Sequence, residues 1–68
     1  MDAVKYKKGN IVLFQWFEEI KRGTIVIVDA HGTFGQQEEP SYDIEVTDDS
    51  PGQKGLYKHI QQSWILSE

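Results

Sequence analysis

The chain has 68 residues, of which 38% are hydrophobic and 12% aromatic, with no cysteine and a net charge of −4. A chain of this length forms one domain, residues 1–68, and buries only about 60% of the surface that its unfolded form exposes. The lack of cysteine excludes disulfides, thiolate metal sites and cysteine nucleophiles. The core therefore depends on β-branched and aromatic side chains.

Charge is distributed unevenly along the chain. Residues 1–24 carry five basic and three acidic groups, whereas residues 25–50 carry seven acidic and no basic groups. Because nucleic-acid affinity depends largely on Lys and Arg that displace counterions, the acidic middle disfavours a large nucleic-acid surface. There is no apolar leader, and the longest apolar run is far below the roughly 20 residues that cross a bilayer. We therefore predict a cytoplasmic protein without membrane contact.

A polar lead-in, residues 1–8, precedes the first predicted strand. The Gly9-Asn10 pair is typical of a turn, and the apolar run from Ile11 to Phe17 that follows predicts a strand. Both alternate sets of side chains in this run are apolar, so alternation alone does not decide which set faces the core. We favour Val12 and Phe14 as the core-facing side chains.

The stretch that organises the fold is Gly23 to Ala30, a β-branched run bounded by turn residues. It is too short for a buried helix and predicts the central strand of the sheet, buried on most of its surface. The charged residues 18–23 predict a bend before it. This bend is too short for a crossover helix, so the first two strands are expected to form an antiparallel hairpin.

A polar loop and the most regular strand of the chain follow. Residues 31–41 lack helical periodicity and are rich in turn residues, and loops of this length are often functional. In the next five residues apolar and acidic side chains alternate, which predicts a strand with one face in the core. The side chains predicted to face the core are Tyr42, Ile44 and Val46, and those predicted to face water are Asp43 and Glu45.

The C-terminal third predicts two shorter strands. Residues 47–55 contain Pro51 and two glycines, which prevent both helix and ladder and predict a loop. Leu56 to Ile60 is the fourth predicted strand. One tight turn of the 3₁₀ type at residues 61–63 then leads to a closing strand, residues 64–66.

The chain resembles the SH3-like barrel, particularly its KOW-like and Tudor-like members. The shared features are five short strands, a hairpin and a last strand that is reached through one helical turn. The stretches that carry the resemblance are Gly9-Asn10-Ile11-Val12, residues 23–29, residues 42–46 and residues 60–65. The expected fold class is all-β, a small five-stranded antiparallel SH3-like barrel with one 3₁₀ turn before the last strand. Small proteins of Gram-positive bacteria and their phages often look like this.

The resemblance to Tudor-like modules and the resemblance to KOW-like modules imply different binding sites. Tudor-like modules bind methylated side chains in an aromatic cage, and the resemblance implies Trp16 as one wall of such a cage. The positions implied for the other walls hold Lys21, Val46 and Thr47, so that cage is incomplete. In KOW-like modules basic loop residues contact nucleic acid. The basic residues that would do so here are Lys7, Lys8, Lys21 and Arg22.

Candidate catalytic and metal-binding residues lack a supporting pattern. His31 and His59 are possible metal ligands together with nearby aspartates, but their spacing matches no recognisable ligand set. The carboxylate pairs Glu18-Glu19 and Glu38-Glu39 lie among turn residues rather than in a predicted pocket. We therefore predict no enzymatic activity, no cofactor and no metal site.

The leading hypothesis is a non-catalytic, monomeric module that binds a protein partner. A five-stranded domain of this size cannot bury all of its aromatic side chains, so some are free to contact a partner. We predict a partner-binding set of Trp16, Phe34 and Tyr57 together with the loop of residues 31–41, and we assign Trp64 to the core. The alternative is a KOW-like module that binds RNA or DNA through the four basic residues named above.

Overall fold

A computed structural model describes residues 3–32, 39–47 and 55–68 of the chain. The elements are β1 (Ile11–Trp16), β2 (Glu19–Asp29), β3 (Ser41–Val46), β4 (Gly55–Gln61), the 3₁₀ turn η1 (Gln62–Trp64) and β5 (Ile65–Ser67). All neighbouring strands are antiparallel, and their order in the sheet is β4-β3-β2-β1-β5. The predicted all-β class, the five antiparallel strands and the 3₁₀ turn before the last strand are confirmed.

The sheet is strongly curved, because its two outer strands are connected by a very short segment. In a flat sheet with about 4.8 Å between strands, β4 and β5 would lie roughly 19 Å apart. Only η1 joins them, and a 3₁₀ turn of three residues spans roughly 6 Å. Rings of separate strands also meet, since the centroids of Tyr57 in β4 and Phe14 in β1 are 5.7 Å apart. The described strands form no ladder between β4 and β5, so the sheet is open there and is not a closed barrel.

The core fills the inside of this curved sheet. Val12 and Phe14 of β1 are fully buried, and so are Tyr42, Ile44 and Val46 of β3. Both predictions of core-facing residues are therefore confirmed. The remaining buried apolar side chains are Ile25, Ile60 and Ile65. Within the described ranges, no helix has the length and the apolar character needed to span a membrane.

The central strand, β2, is buried on one face only. Its position in the middle of the sheet is as predicted. Ile25 is fully buried, but Ile27 is 53% exposed, so the prediction that this strand is buried on most of its surface is wrong. The reason is a register shift between Ile25 and Ile27 in the β2–β3 ladder, which turns Ile27 away from the core and lets Val28 pack against it instead. Asp43 and Glu45 of β3 lie on the outer face of the sheet, half-buried and outside the core.

The start of β2 also differs from the prediction. The strand begins at Glu19, and the turn before it consists of Phe17 and Glu18, so the predicted bend over residues 18–23 is wrong. Gly23 is therefore a strand residue. A Cβ at this position would lie 2.5 Å from the carbonyl oxygen of Glu45 and 2.7 Å from a methyl carbon of Ile44. Glycine is present because β3 approaches closely, and not because the chain turns.

A hydrogen-bond network around the buried Gln62 fixes η1 to the rest of the molecule. The side-chain oxygen of Gln62 accepts hydrogen bonds from the Tyr42 hydroxyl at 2.5 Å and from the Lys5 N–H at 3.0 Å. Its amide nitrogen donates to the Ala3 carbonyl at 2.9 Å. The backbone N–H of Gln62 donates to the Pro40 carbonyl, also at 2.9 Å. We call these five residues the Gln62 network.

Glu39 adds a second connection to η1. Its carboxylate accepts hydrogen bonds from the Ser63 N–H at 2.6 Å and from the Ser63 hydroxyl at 3.0 Å. Glu39 therefore has a structural role, whereas its neighbour Glu38 lies outside the described residues. Because Gln62 and Ser63 are both held in place, the position of Trp64, the last residue of η1, is determined as well.

Candidate partner-binding site

Four aromatic side chains from separate parts of the chain meet beside the first hairpin turn. Trp16 ends β1, Phe17 begins the turn, Tyr57 lies in β4 and Trp64 ends η1. The ring centroid of Trp16 is 5.0 Å from those of Phe17 and Tyr57 and 6.5 Å from that of Trp64, and all three pairs are edge-to-face. Such pairs contribute about 0.5–1.5 kcal/mol each beyond the area they bury. We call these four residues the aromatic cluster.

The fold explains why these rings meet. Strand alternation places Trp16 on the same face as Phe14, at the end of β1. The curvature of the sheet then brings Tyr57 of β4 towards it, and the Gln62 network holds η1 so that Trp64 reaches the same point. Tyr57 and Trp64 are far from Trp16 in sequence, and only the tertiary structure brings the three together.

Exposure to solvent increases across the aromatic cluster. Trp16 and Tyr57 are half-buried and pack against the core. Trp64 is 38% exposed and Phe17 is 82% exposed. Two of the four rings therefore present an apolar surface to the solvent. Trp16, which packs against Tyr57, contacts both of them.

The backbone at Phe17 has an unusual conformation. Its φ is 53°, in the left-handed region that bulky residues rarely adopt. Glycine or asparagine is the usual choice for such a position in a two-residue hairpin turn. The side-chain nitrogen of Gln15 donates to the carbonyl oxygens of Phe17 at 2.6 Å and of Glu19 at 3.0 Å, which braces the turn. The exposed ring of Phe17 therefore lies in a turn that these two hydrogen bonds stabilise.

Two clefts share Trp16 and Phe17 as walls. The first, of about 340 Å³, is completed by Gln15 and Trp64, and we call it the apolar cleft. The second, of about 480 Å³, is completed by Glu18 and Glu19, and we call it the acidic cleft. The site therefore offers an aromatic surface with an apolar recess and a second recess, lined by Glu18 and Glu19, that shares the same two aromatic residues.

Lys21 supports the aromatic cluster. Its side chain is only 12% exposed, and its ammonium nitrogen lies 3.0 Å from a carboxylate oxygen of Glu19 and 5.5 Å from the ring centroid of Tyr57. This geometry combines an ion pair with a cation–π contact. Because Lys21 is covered in this way, it is poorly placed for a nucleic-acid surface.

The structure separates Lys21 from the rest of the predicted basic edge. Lys21 and Arg22 are adjacent in β2 and therefore point to opposite faces of the sheet. Arg22 is exposed and lines a cleft of about 350 Å³ on the outer face. Lys7 and Lys8 are exposed in the turn before β1, which is closed by a hydrogen bond from the Asn10 N–H to the Lys7 carbonyl at 3.0 Å.

The predicted partner-binding residues are partly brought together. Trp16 and Tyr57 are members of the aromatic cluster, whereas Phe34 and most of the loop of residues 31–41 lie outside the described residues. The assignment of Trp64 to the core is wrong. The 3₁₀ turn extends through Trp64, so β5 begins with Ile65, and it is the Ile65 side chain that is buried. Phe17 was not among the predicted binding residues, although a domain of this size was expected to leave some aromatic side chains exposed.

The histidines considered as metal ligands lie beside carboxylates that make backbone hydrogen bonds. Asp29 accepts one from the His31 N–H and Asp43 accepts one from the His59 N–H, both at 3.1 Å. His59 has a φ of 62° at an irregularity in the β3–β4 ladder, so Asp43 stabilises a bulge. In the described part of the chain, no three His, Asp or Glu side chains are grouped so that they could hold a metal ion.

Comparisons with protein-family models, with curated proteins and with solved structures found no match to this chain. The resemblance to SH3-like barrels therefore stays a prediction. The feature of this chain that points to a function is the geometry of the aromatic cluster.

Proposed function

We propose that this protein is a non-catalytic interaction module that binds a protein partner through the aromatic cluster. The observation that carries the proposal is Phe17, whose ring is exposed while its backbone adopts a left-handed conformation. Neither burial nor turn geometry accounts for phenylalanine here, because glycine or asparagine would form the turn with less strain. Residues that break a local structural rule are expected at functional sites.

The rest of the aromatic cluster supports the proposal. Aromatic side chains are enriched at protein interfaces and among the residues that contribute most to binding. Trp64 lies close to Phe17, and the apolar cleft between them is a recess for a partner's side chain. Trp16 contacts both exposed rings and itself packs against Tyr57, which limits the motion of the two rings and reduces the entropy lost on binding. The predicted contribution of Phe34 and the loop of residues 31–41 remains part of this proposal.

We also propose that the fold is an SH3-like barrel. The supporting features are the order of five antiparallel strands, the strong curvature of the sheet and the 3₁₀ turn that connects its two edges. In this architecture the aromatic cluster lies where the first hairpin turn and η1 come together. A protein-binding role follows from the site and not from the architecture, because the same fold hosts many functions.

Affinity capture from a lysate of the native host, with and without nuclease, tests the proposal. The wild-type protein should retain a partner after nuclease treatment, and Phe17→Ala should reduce that retention at least about tenfold, as expected for an aromatic anchor. Ile27→Ala is a matched control, because Ile27 is also an exposed apolar side chain but lies towards the far end of β2. Equal retention by the wild type and by Phe17→Ala would contradict the proposal.

The alternative, binding of RNA or DNA, is supported by the exposure of Lys7, Lys8 and Arg22. A titration of backbone amides with single-stranded and double-stranded oligonucleotides at low salt tests it. Nucleic-acid binding would shift the amides around Lys8 and Arg22, and the affinity would fall steeply with salt. We expect no saturable shift, because the net charge of −4 opposes it. Saturable, salt-sensitive shifts at these residues would favour the alternative.

A further inference from the structure

We infer that the partner segment carries an arginine beside a bulky apolar side chain, and that these two side chains occupy the acidic and apolar clefts that share Trp16 and Phe17. This inference names the chemistry of the partner and rests on the proposed function. It follows from the different linings of two recesses that meet at the same pair of rings.

The apolar cleft is suited to one uncharged, bulky side chain. Its walls are three aromatic rings and Gln15. The Gln15 side-chain nitrogen already donates to two carbonyl oxygens of the turn, so its N–H donors are used within the hairpin. A volume of about 340 Å³ is at the lower end of the roughly 300–1,000 Å³ that is typical of small-molecule pockets. An aliphatic or aromatic side chain of a peptide therefore fits this recess better than a large ligand does.

The acidic cleft is suited to a cation. Its walls combine Trp16 and Phe17 with Glu18 and Glu19. The Glu19 carboxylate already pairs with Lys21, so Glu18 supplies the carboxylate for a partner's cation. The face of an aromatic ring attracts a cation, and a neighbouring carboxylate adds an ion pair. Arginine fits better than lysine, because a planar guanidinium can lie against a ring while it donates two parallel hydrogen bonds to a carboxylate.

The molecule already contains one cation that is held by a carboxylate and an aromatic ring. The ammonium group of Lys21 lies between the Glu19 carboxylate and the Tyr57 ring, at the distances given above. Lys21 occupies the inner side of the aromatic cluster. Glu18 is exposed in the turn directly after Phe17 and lines the acidic cleft together with it, so a partner's cation can reach Glu18.

Charge also distinguishes a basic peptide from other occupants. A second copy of this chain would carry the same net charge of −4 and would bring its own Glu18 and Glu19 towards those of the first. Like charges placed opposite one another across an interface disfavour the complex. The same carboxylates repel the phosphates of a nucleic acid. A basic segment of another protein is the occupant whose charge complements the site.

Selection from a random seven-residue peptide library on the immobilised full chain tests the inference. We expect enriched peptides to contain arginine within one or two positions of a large aliphatic or aromatic residue. The same selection on Phe17→Ala should lose this enrichment, and Trp64→Ala should lose the preference for the apolar residue. A native backbone-amide spectrum of each variant establishes that it is folded, and Trp64→Ala serves in place of Phe17→Ala if that variant is not.

A charge cycle on one selected peptide sharpens the test. Replacing its arginine by the neutral isostere citrulline should weaken binding to the wild type about two- to fivefold at low salt, and less at high salt. Glu18→Gln should weaken binding of the arginine peptide by a similar factor, and citrulline should then cause little further loss. Glu68→Gln is the matched control, since Glu68 lines a different cleft and its substitution should not change the affinity.

The outcomes separate this inference from the proposed function. Enrichment that depends on Phe17 but lacks arginine would overturn the inference and leave the proposed function intact. A citrulline effect of the same size in Glu18→Gln and in the wild type would also overturn it, because Glu18 would then not contact the arginine. The absence of any Phe17-dependent peptide, or Phe17-dependent binding of a single-stranded oligonucleotide in its place, would overturn both.

Discussion

The 3₁₀ turn η1 joins two regions of opposite character. At its first residue, Gln62 is 4% exposed and each of its side-chain polar atoms makes a hydrogen bond within the Gln62 network. At its last residue, Trp64 belongs to the aromatic cluster, where apolar rings are left in solvent. Among the described residues, no buried side-chain nitrogen or oxygen lacks a hydrogen-bond partner. The polar groups of the Gln62 network are therefore all satisfied within the fold. The aromatic cluster, in contrast, exposes apolar surface that folding does not require.

This difference shows which residues are expected to serve folding and which binding. In the Gln62 network, removal of one group leaves a buried partner without its hydrogen bond, which costs free energy of unfolding. In the aromatic cluster, removal of an exposed ring loses little buried surface and costs mainly affinity. Measurements of stability and of binding on the same variants should therefore separate the two regions.

The largest loss of stability is expected in β3, which supplies Tyr42 to the Gln62 network. Ile44→Ala should lower the free energy of unfolding by about 2–5 kcal/mol, because it removes a fully buried side chain. Denaturant unfolding measures this loss. Glu45→Ala is the control on the outer face and should cost much less. Equal, small losses for both variants would show that the core does not lie on the predicted face of β3.

The next largest loss in the free energy of unfolding is expected at Gln62. Gln62→Leu removes the acceptor of the buried Tyr42 hydroxyl and should cost about 1–3 kcal/mol. In the double variant with Tyr42→Phe, both partners become apolar, so the loss should be smaller than the sum of the two single losses. Chemical denaturation of the wild type, the two single variants and the double variant gives the coupling free energy between the two side chains. Partner capture should weaken far less in Gln62→Leu than in Phe17→Ala, because the backbone N–H groups of Gln62 and Ser63 still hold η1 through Pro40 and Glu39. A loss of binding as large as that of Phe17→Ala would mean that the two regions are not separable.

Strand content and the core of β3 were predictable from the sequence, because both depend on local patterns. The alternation of residues 42–46 determines which side chains share a face, and the structure buries those side chains. Gly23 was misleading, because a glycine at a close approach between strands looks the same in sequence as a glycine in a turn. The predicted bend was therefore placed too late in the chain.

The aromatic cluster was only partly predictable, because it depends on contacts between distant residues. The sequence indicated Trp16 and Tyr57 as candidates but gave no reason to place them together. Trp64 was assigned to the core because the closing strand was predicted to begin at residue 64. The 3₁₀ turn ends one residue later, so Ile65 takes the buried position predicted for Trp64. A usable signal for Phe17 did exist, namely an aromatic residue directly before two glutamates at the end of an apolar strand, a pattern typical of an exposed turn.

A pH titration probes the Gln62 network without a large substitution. Burial raises the pKa of the Tyr42 phenol, and backbone hydrogen bonds from Tyr6 and Lys5 oppose this shift. Below the unfolded pKa of about 10, the phenol is protonated in both states and its contribution to stability is fully present. As the pH rises above 10, the unfolded chain loses its proton first, so stability falls until the raised pKa of the folded state is passed.

Denaturant midpoints between about pH 8 and about pH 11.5, a window that contains the unfolded tyrosine pKa of about 10, measure this loss. Tyr42→Phe should lose less stability over the alkaline range than the wild type does, because it lacks the phenol whose pKa burial raises. An identical alkaline loss in the wild type and in Tyr42→Phe would show that the phenol of Tyr42 is not the group responsible.

The smallest expected effect on stability has the opposite sign and concerns Phe17. Phe17→Gly should raise the free energy of unfolding by about 0.5–1 kcal/mol, because glycine adopts a positive φ without the steric cost that an L-residue carries. The same variant should lose the captured partner. Thermal or denaturant unfolding measures the first change, and affinity capture measures the second.

Phe17→Ala is the control that separates strain from the loss of the ring. Alanine also removes the ring but keeps a Cβ at the left-handed position, so it should lose the partner without the gain in stability. If Phe17→Gly is instead less stable than the wild type, the edge-to-face contact with Trp16 outweighs the backbone strain. Phe17 would then have a role in folding, and its exposure would no longer argue for a partner. If Phe17→Gly is more stable and does not bind, the phenylalanine is retained at a cost to stability, as expected when its ring serves binding.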